Sequence, residues 1–237
     1  MTRQSEQAHT ERSLQSAGAG TDPADRLRER LIEGRGRLLV VLATGSVWLL
    51  DLLLGHRLER HQVIGMQVQG LVRQLELAGD VMFVIVTLGL ILSLYRGHRN
   101  RLFRWALVYL LVAMLQVIGN VFGMVVTAST PQDQALTGLW DVAAVYMQSV
   151  LVFMFIYIFL DVSTPGGVFV WPSRDGEPPP TPHLIDYLFV ALNVNSTFGP
   201  TSEALVSRSA KLVMSMQTLL AIVMLTVLIA RSAGATT

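Results

Sequence analysis

The sequence predicts an all-α membrane protein with five transmembrane helices and a re-entrant pore helix and loop between helices four and five. Only 15% of the 237 residues are charged, whereas soluble domains average about a quarter. Five stretches are long and apolar enough to cross the hydrocarbon, which takes about 20 residues. A further stretch, residues 187–202, is apolar only in its first half. Together these observations exclude a soluble globule.

The five apolar windows are predicted to be helices, because a backbone amide in lipid must be satisfied within its own segment. The first window is too long, and begins too late, to be a cleavable signal peptide. In chain order they are the stretch between Arg37 and Arg57, broken by Asp51, residues 77–95 with Asp80 near the start, and the uncharged residues 106–129, 142–160 and 212–230.

The chain divides into three regions by composition. Residues 1–37 contain seven Arg but only two Asp and four Glu; we expect a disordered N-terminus followed by a basic surface helix over 22–37, with a solvated flank as the alternative. Residues 38–130 form a three-span peripheral region. Residues 139–233 form a pore-like module: outer helix 142–160, Pro/Gly-rich linker 162–182, short helix 183–194, filter-like loop 195–203 and inner helix 209–231.

The short helix is predicted to start with Pro182 in its first turn and Thr181 as its cap. It should end near 193–195, where Asn, Ser, Thr, Gly and Pro follow. Such a segment is tolerated at membrane depth only inside protein or beside a water-filled cavity. We therefore expect it to enter the membrane and return on the same side.

The order outer helix, short helix, polar loop, inner helix resembles the pore module of the potassium-channel superfamily over residues 140–235. The residues that carry the resemblance are the aromatic short helix, the loop, and the basic start of the last helix: Asp186, Tyr187, Phe189, Ser196-Thr197-Phe198-Gly199-Pro200-Thr201-Ser202, Arg208 and Lys211. The whole chain also resembles a group of bacterial five-span membrane proteins with a channel-like ending. This resemblance implies a homotetramer in the plasma (inner) membrane.

The loop departs from a potassium filter, in which rings of backbone carbonyls replace the water shell of the ion. Gly199 matches the first filter glycine. Pro200 replaces the tyrosine and lacks an amide donor, while Thr201 replaces the second glycine and resists positive φ. Ser202 replaces the aspartate. A standard potassium filter is therefore not expected.

Two functional hypotheses remain open. The first is a cation pathway of low or unusual selectivity, carrying monovalent cations. The second is a non-conducting membrane interaction or scaffold protein with a channel-like fold. The residues assigned to the pathway are the filter-like Asn195, Ser196, Thr197, Phe198, Gly199, Pro200 and Thr201, with the amide of Asn193 as an alternative lining group, Glu203 at the pore mouth, and Gln217 on the inner helix.

Other polar residues in the windows have simpler explanations. Gln217 and Gln148 are expected to make interhelical hydrogen bonds if they do not face a pore. Gln116, Asn120 and Gly123 form a stripe that indicates contact with protein, and Gly119 with Gly123 is typical of helix packing. Asp51, Asp80, Asp141 and Asp161 are interpreted as span-end residues, with Asp51 the exception because Leu52–Leu54 extend the apolar run.

No enzyme, cofactor or nucleic-acid function is predicted. The sequence has no P-loop, no Gly-x-Ser-x-Gly and no dinucleotide-binding turn. It has no cysteine, and its net charge is +1. With a cytoplasmic N-terminus, twelve basic residues would flank the spans on the cytoplasmic side and four on the other. This favours that orientation, although it makes the pore loop enter from the cytoplasm, whereas potassium channels have it outside.

Overall fold

The structure is a computed structural model that describes residues 36–58, 66–96, 99–127, 135–172, 182–196 and 204–234. The expected disordered N-terminus and most of the basic helix at 22–37 lie outside these residues. Within them the chain is almost entirely helical, as the sequence predicts. Its elements are α1 (Gly36–Leu58), α2 (Met66–Arg96), α3 (Arg99–Thr127), α4 (Ala135–Ser163), β1 (Phe169–Val170), α5 (Leu184–Asn195), β2 (Ala204–Leu205) and α6 (Arg208–Gly234).

Three of the helices are long and apolar enough to cross a membrane, which indicates a membrane-embedded protein. They contain Arg101–Val125 in α3, Leu139–Ser163 in α4 and Arg208–Ala230 in α6. α1 and α2 have shorter apolar stretches, Val40–Leu53 and Val81–Arg96, at the positions of the first two predicted spans.

α4 lies at the centre of the bundle. It packs against α1 and α3 on one side and against α5 and α6 on the other. Its fully buried side chains include Val145, Val152, Phe153 and Tyr157. α6, in contrast, buries only a narrow stripe that contains Ala210, Gln217, Ala221 and Met224. Most of the other described side chains of α6 are half-buried against the core or exposed.

α5 is a short helix that packs against both α4 and α6. It starts one residue later than predicted, and its cap is different. His183 is the N-cap residue, and the Asp186 carboxylate accepts a hydrogen bond from the His183 backbone N–H at 2.6 Å. An acidic residue in the first turn also interacts favourably with the helix dipole. Pro182 therefore precedes the helix.

The linker contains a strand that the sequence did not predict. β1 pairs with β2 in an antiparallel register, with Phe169 opposite Leu205 and Val170 opposite Ala204. This pairing holds the chain after α4 beside the chain before α6. Val168 and Phe169 are buried inside the protein.

Candidate functional site

Gln217 connects the three helices of the pore-like module. This residue on α6 has no exposed surface. Its amide nitrogen donates to the Ala191 carbonyl at 2.8 Å and to Asn195 Oδ1 at 3.2 Å, both on α5. Its amide oxygen accepts from the Tyr157 hydroxyl on α4 at 2.6 Å. All three bonds are buried, so each is costly to leave unmade.

The polar end of α5 is held by α4. Ser149 Oγ donates to Asn195 Oδ1 at 3.5 Å, and Asn195 Nδ2 donates to the Tyr146 carbonyl at 3.4 Å. The hydroxyls of Tyr146 and Ser196 are hydrogen-bonded at 2.9 Å. These contacts place the end of α5 beside the first half of α4.

The beginning of α5 lies at the opposite end of α4. Tyr187 in its first turns donates a hydrogen bond to Asp161 Oδ2. Since Asp161 and Tyr146 are fifteen residues apart on one helix, the two levels differ by about 22 Å. α5 therefore runs back along α4, away from the level of the β1–β2 pair.

Asp161 binds the linker and α5 to the end of α4. Its Oδ1 accepts backbone N–H bonds from Val168 at 2.7 Å and from Phe169 at 3.4 Å. The residue is 3% exposed, so it is a structural anchor rather than the interfacial span-end residue expected from the sequence. Gly167, at φ +80°, brings its backbone close to Asp161 Oδ1. A buried carboxylate is tolerated there because hydrogen bonds surround it.

An aromatic cluster covers this anchor. Phe169 packs edge-on against Tyr157 and Tyr187, with ring centroids 5.6 and 6.0 Å apart. Trp171 contacts both Phe169 and Tyr187, at 5.4 and 5.3 Å. Such contacts add about 0.5–1.5 kcal/mol per pair beyond the area they bury. The cluster fixes α5 at the level where β1 meets β2.

On the other side of α4, four polar side chains form a buried network. The carboxylate of Asp51 on α1 accepts hydrogen bonds from Gln116 Nε2, from Asn120 Nδ2 at 3.3 Å and from Gln148 Nε2 at 3.1 Å. Asn120 Nδ2 also donates to Gln148 Oε1 at 2.9 Å. The predicted contact of the Gln116 and Asn120 stripe with protein is confirmed. Asp51 is therefore held inside the protein, as Asp161 is, rather than at a span end.

The predicted filter-like residues are only partly described. Asn195 is the last residue of α5, and Ser196 follows it as a turn. Both contact α4, as given above. Thr197, Phe198, Gly199, Pro200, Thr201 and Glu203 lie outside the described residues.

Of the two expectations for Gln217, an interhelical hydrogen bond agrees with the structure. Its role as a pore-lining residue stays a prediction, since within this chain its side chain is enclosed by α4 and α5. The amide of Asn193 is a different case from that of Gln217: its Nδ2 is buried and has no hydrogen-bond partner among the described residues.

Sequence reasoning missed several residues of this site. Tyr146, Ser149 and Tyr157 lie in an apolar helix where nothing in the spacing marks them. Asp161 and Tyr187 were recognised only as a boundary residue and as an aromatic of the short helix. A Cβ added at Gly119 or Gly123 would contact nothing within 4 Å inside this chain, so helix packing at these two glycines stays a prediction.

The polar groups of the site are amides, hydroxyls and the two carboxylates of Asp51 and Asp161, held in fixed positions by hydrogen bonds. Among the described residues no group of three or more His, Cys, Asp or Glu side chains converges in a way that could hold a metal. Comparisons with protein-family models, curated proteins and solved structures find no match to this chain.

Proposed function

We propose that this chain is one subunit of an oligomeric pore-loop membrane protein that conducts cations with low or unusual selectivity. In this proposal α5 is a pore helix and residues 195–203 form a loop that enters and leaves the membrane on one side. α4 and α6 are the outer and inner helices. The resemblance described above suggests four subunits around an axis.

One observation carries the proposal: the polar end of α5 lies beside the middle of two apolar helices, while the chain is back at the starting level by β2. Asn195 and Ser196 contact Tyr146 and Ser149. Ala204 pairs with Val170 near the level of Asp161. Along α4, Asp161 lies about 22 Å from Tyr146. Because open chain is not tolerated facing lipid, this arrangement favours a loop sheltered by protein.

The outward face of α6 supports the same proposal. Ser215 and Thr226 are exposed and lie eleven residues apart, which is three helical turns and therefore one face. Their hydroxyls donate to the backbone carbonyls of Lys211 and Ile222. The same face also carries exposed Leu219 and Ile222, so it can pack against another subunit. In the proposed oligomer this face is the one we assign to the axis.

Cation flux into liposomes tests the proposal. The purified full-length protein should pass Na⁺ and K⁺, and Glu203→Gln should reduce the flux, because it removes negative charge from the proposed pore mouth. Thr197→Val should change the ratio of the two fluxes. Ser232→Ala is the matched control, since this exposed hydroxyl near the end of α6 bonds only to the Ile229 carbonyl. If the protein conducts but neither Glu203→Gln nor Thr197→Val changes the flux, the assigned pathway is wrong.

The second hypothesis, a non-conducting scaffold, is favoured by a separate observation. Gln217 and Asn195 use their amides in hydrogen bonds within the chain rather than presenting them outward. If the oligomer forms with no flux at any voltage or pH, and loop substitutions leave assembly intact, the scaffold is the function and the channel proposal fails.

The five-span count and the orientation belong to the same proposal. α1 and α2 would add the first two spans to α3, α4 and α6. A cytoplasmic N-terminus then places the loop on the cytoplasmic side, as the distribution of basic residues favours. A reporter active only in the cytoplasm, fused to the C-terminus, should be inactive in this arrangement.

A further inference from the structure

We propose that the Asp51 network is a binding site for a monovalent alkali cation such as Na⁺, inside one subunit and separate from the pore-like module. The site is formed by Asp51 on α1, Gln116 and Asn120 on α3, and Gln148 on α4. It does not depend on residues 195–203 or on an axial pore. The proposal therefore stands or falls independently of conduction.

The network lies deep within the apolar part of the helix bundle. Asp51 is nine-tenths buried and Gln148 is completely buried. Gln116 is nine residues from the nearer end of the apolar stretch Arg101–Val125, which is about 13 Å along the helix. A carboxylate at that depth is costly in lipid, and such residues usually mark ion sites or proton relays.

The network has more oxygen atoms than hydrogen-bond donors to satisfy them. Among the described residues, Gln116 Oε1 is buried next to the carboxylate and has no hydrogen-bond donor. The hydroxyl of Tyr109, two helical turns or about 10 Å further along α3, is also buried without a partner among these residues. An unused amide oxygen beside a carboxylate is what a bound cation would satisfy.

The ligand atoms and the charge of the site indicate which kind of ion it would bind. Carboxylate and amide oxygens suit hard cations, and rings of such oxygens replace a water shell. One carboxylate balances a single positive charge, so a monovalent ion leaves the site neutral whereas a divalent ion leaves it charged. Rotation about the terminal torsion of Gln116, which is soft, turns Oε1 toward the carboxylate.

Thermal unfolding of the purified full-length protein tests the proposal. A ligand that binds only the folded state raises the Tm as its concentration increases. At constant ionic strength, with choline as the replacement ion, we expect the Tm to rise with Na⁺ concentration. Asp51→Asn should abolish this dependence, and Gln116→Leu, which keeps the charge, should shift it to higher Na⁺ concentration.

Asp161→Asn is the matched control, because it makes the same substitution at a second buried carboxylate of the described residues; it should lower the Tm but keep its dependence on Na⁺. If Asp51→Asn does not fold, two other measurements test the proposal. They are the Na⁺ dependence of the Tm of Gln116→Leu and the broadening of the ²³Na NMR signal by exchange with the wild-type protein. A Tm that is insensitive to alkali cations, or a dependence that survives Asp51→Asn, overturns the proposal. So does stabilisation that appears only on acidification, since the ligand would then be a proton.

Discussion

At the level of single residues, the module is held together by a few buried polar side chains that each contact two other elements. Asp161 joins α4 to the linker and to α5, and Gln217 joins α6 to α4 and α5. A hydrogen bond contributes about 0.5–1.5 kcal/mol net, but a buried group left unpaired costs about 1–3 kcal/mol. These residues therefore define where α5 lies more sharply than the apolar contacts around them.

Asp161→Ala should destabilise the protein by about 3 kcal/mol or more, because it removes the acceptor of two backbone N–H groups and of the Tyr187 hydroxyl. Tyr187→Phe removes only one of these bonds and should cost about 1 kcal/mol. Unfolding in detergent, followed by circular dichroism, measures both. Equal losses from the two variants would mean that the backbone N–H groups do not depend on the carboxylate.

Some residue roles could be predicted from the sequence and others could not. Asp51 stood out because the apolar run continues past it, and a carboxylate within such a run needs polar partners. Gln116 and Asn120 stood out because they share one helix face. Asp161 gave no such signal, since its partners are backbone N–H groups of a turn. Backbone donors have no sequence signature, so only the fold reveals them.

At the level of elements, the turn between α4 and β1 requires glycine for two different reasons. Gly166 and Gly167 both have positive φ, at +79° and +80°. A Cβ at Gly166 would contact nothing within 4 Å, whereas one at Gly167 would lie 2.7 Å from Asp161 Oδ1. The oxygen cannot move away without losing its bond to the Val168 N–H.

Gly166→Ala should therefore cost about 1–2 kcal/mol, the price of a side chain at positive φ, and Gly167→Ala should cost clearly more. A double-mutant cycle separates the two effects. In an Asp161→Ala background the extra cost of Gly167→Ala should disappear, because the clashing oxygen is gone. Additive losses across the cycle would show that the strain at Gly167 comes from the backbone alone.

The helices themselves were predictable, because long uncharged apolar runs have few alternatives in lipid. α5 was also predicted to within one residue, from its apolar first half and polar end. Its N-cap was not predicted correctly. Thr181 was expected because Pro182 suits a first helical turn, whereas the bond from the His183 N–H to Asp186 makes His183 the N-cap. β1 was missed since a two-residue strand depends on its partner, Ala204–Leu205, which is distant in sequence.

At the level of the whole molecule, two polar groups meet α4 at almost the same height from two different directions. Gln148 faces the Asp51 network, while its neighbour Ser149 faces Asn195 of α5. Successive helical residues point about 100° apart, so one turn of α4 serves both. The peripheral helices and the pore-like module are thereby packed against a common polar turn. This arrangement could not be predicted from the sequence, because it depends on which helices surround α4.

The path of the chain makes a prediction about sidedness that needs no background mutations, since the protein has no cysteine. The β1–β2 pair holds Pro165 and Val206 at one end of the bundle, and both are exposed. Ser232 lies 26 residues beyond Val206, across the apolar length of α6. Single cysteines at 165 and 206 should therefore react with a membrane-impermeant maleimide from the same side, and a cysteine at 232 from the other.

Oriented membrane vesicles, inside-out and right-side-out, provide the measurement. If residues 171–205 entered and returned, 165 and 206 label together; if α5 crossed completely, they would label from opposite sides and the loop proposal would fail. The same experiment determines orientation, because the basic-residue distribution places 165 and 206 in the cytoplasm. Labelling of this pair from the outside would reverse the orientation while leaving the re-entrant path intact, since the path depends on the relative sides of the three positions and not on which side is cytoplasmic.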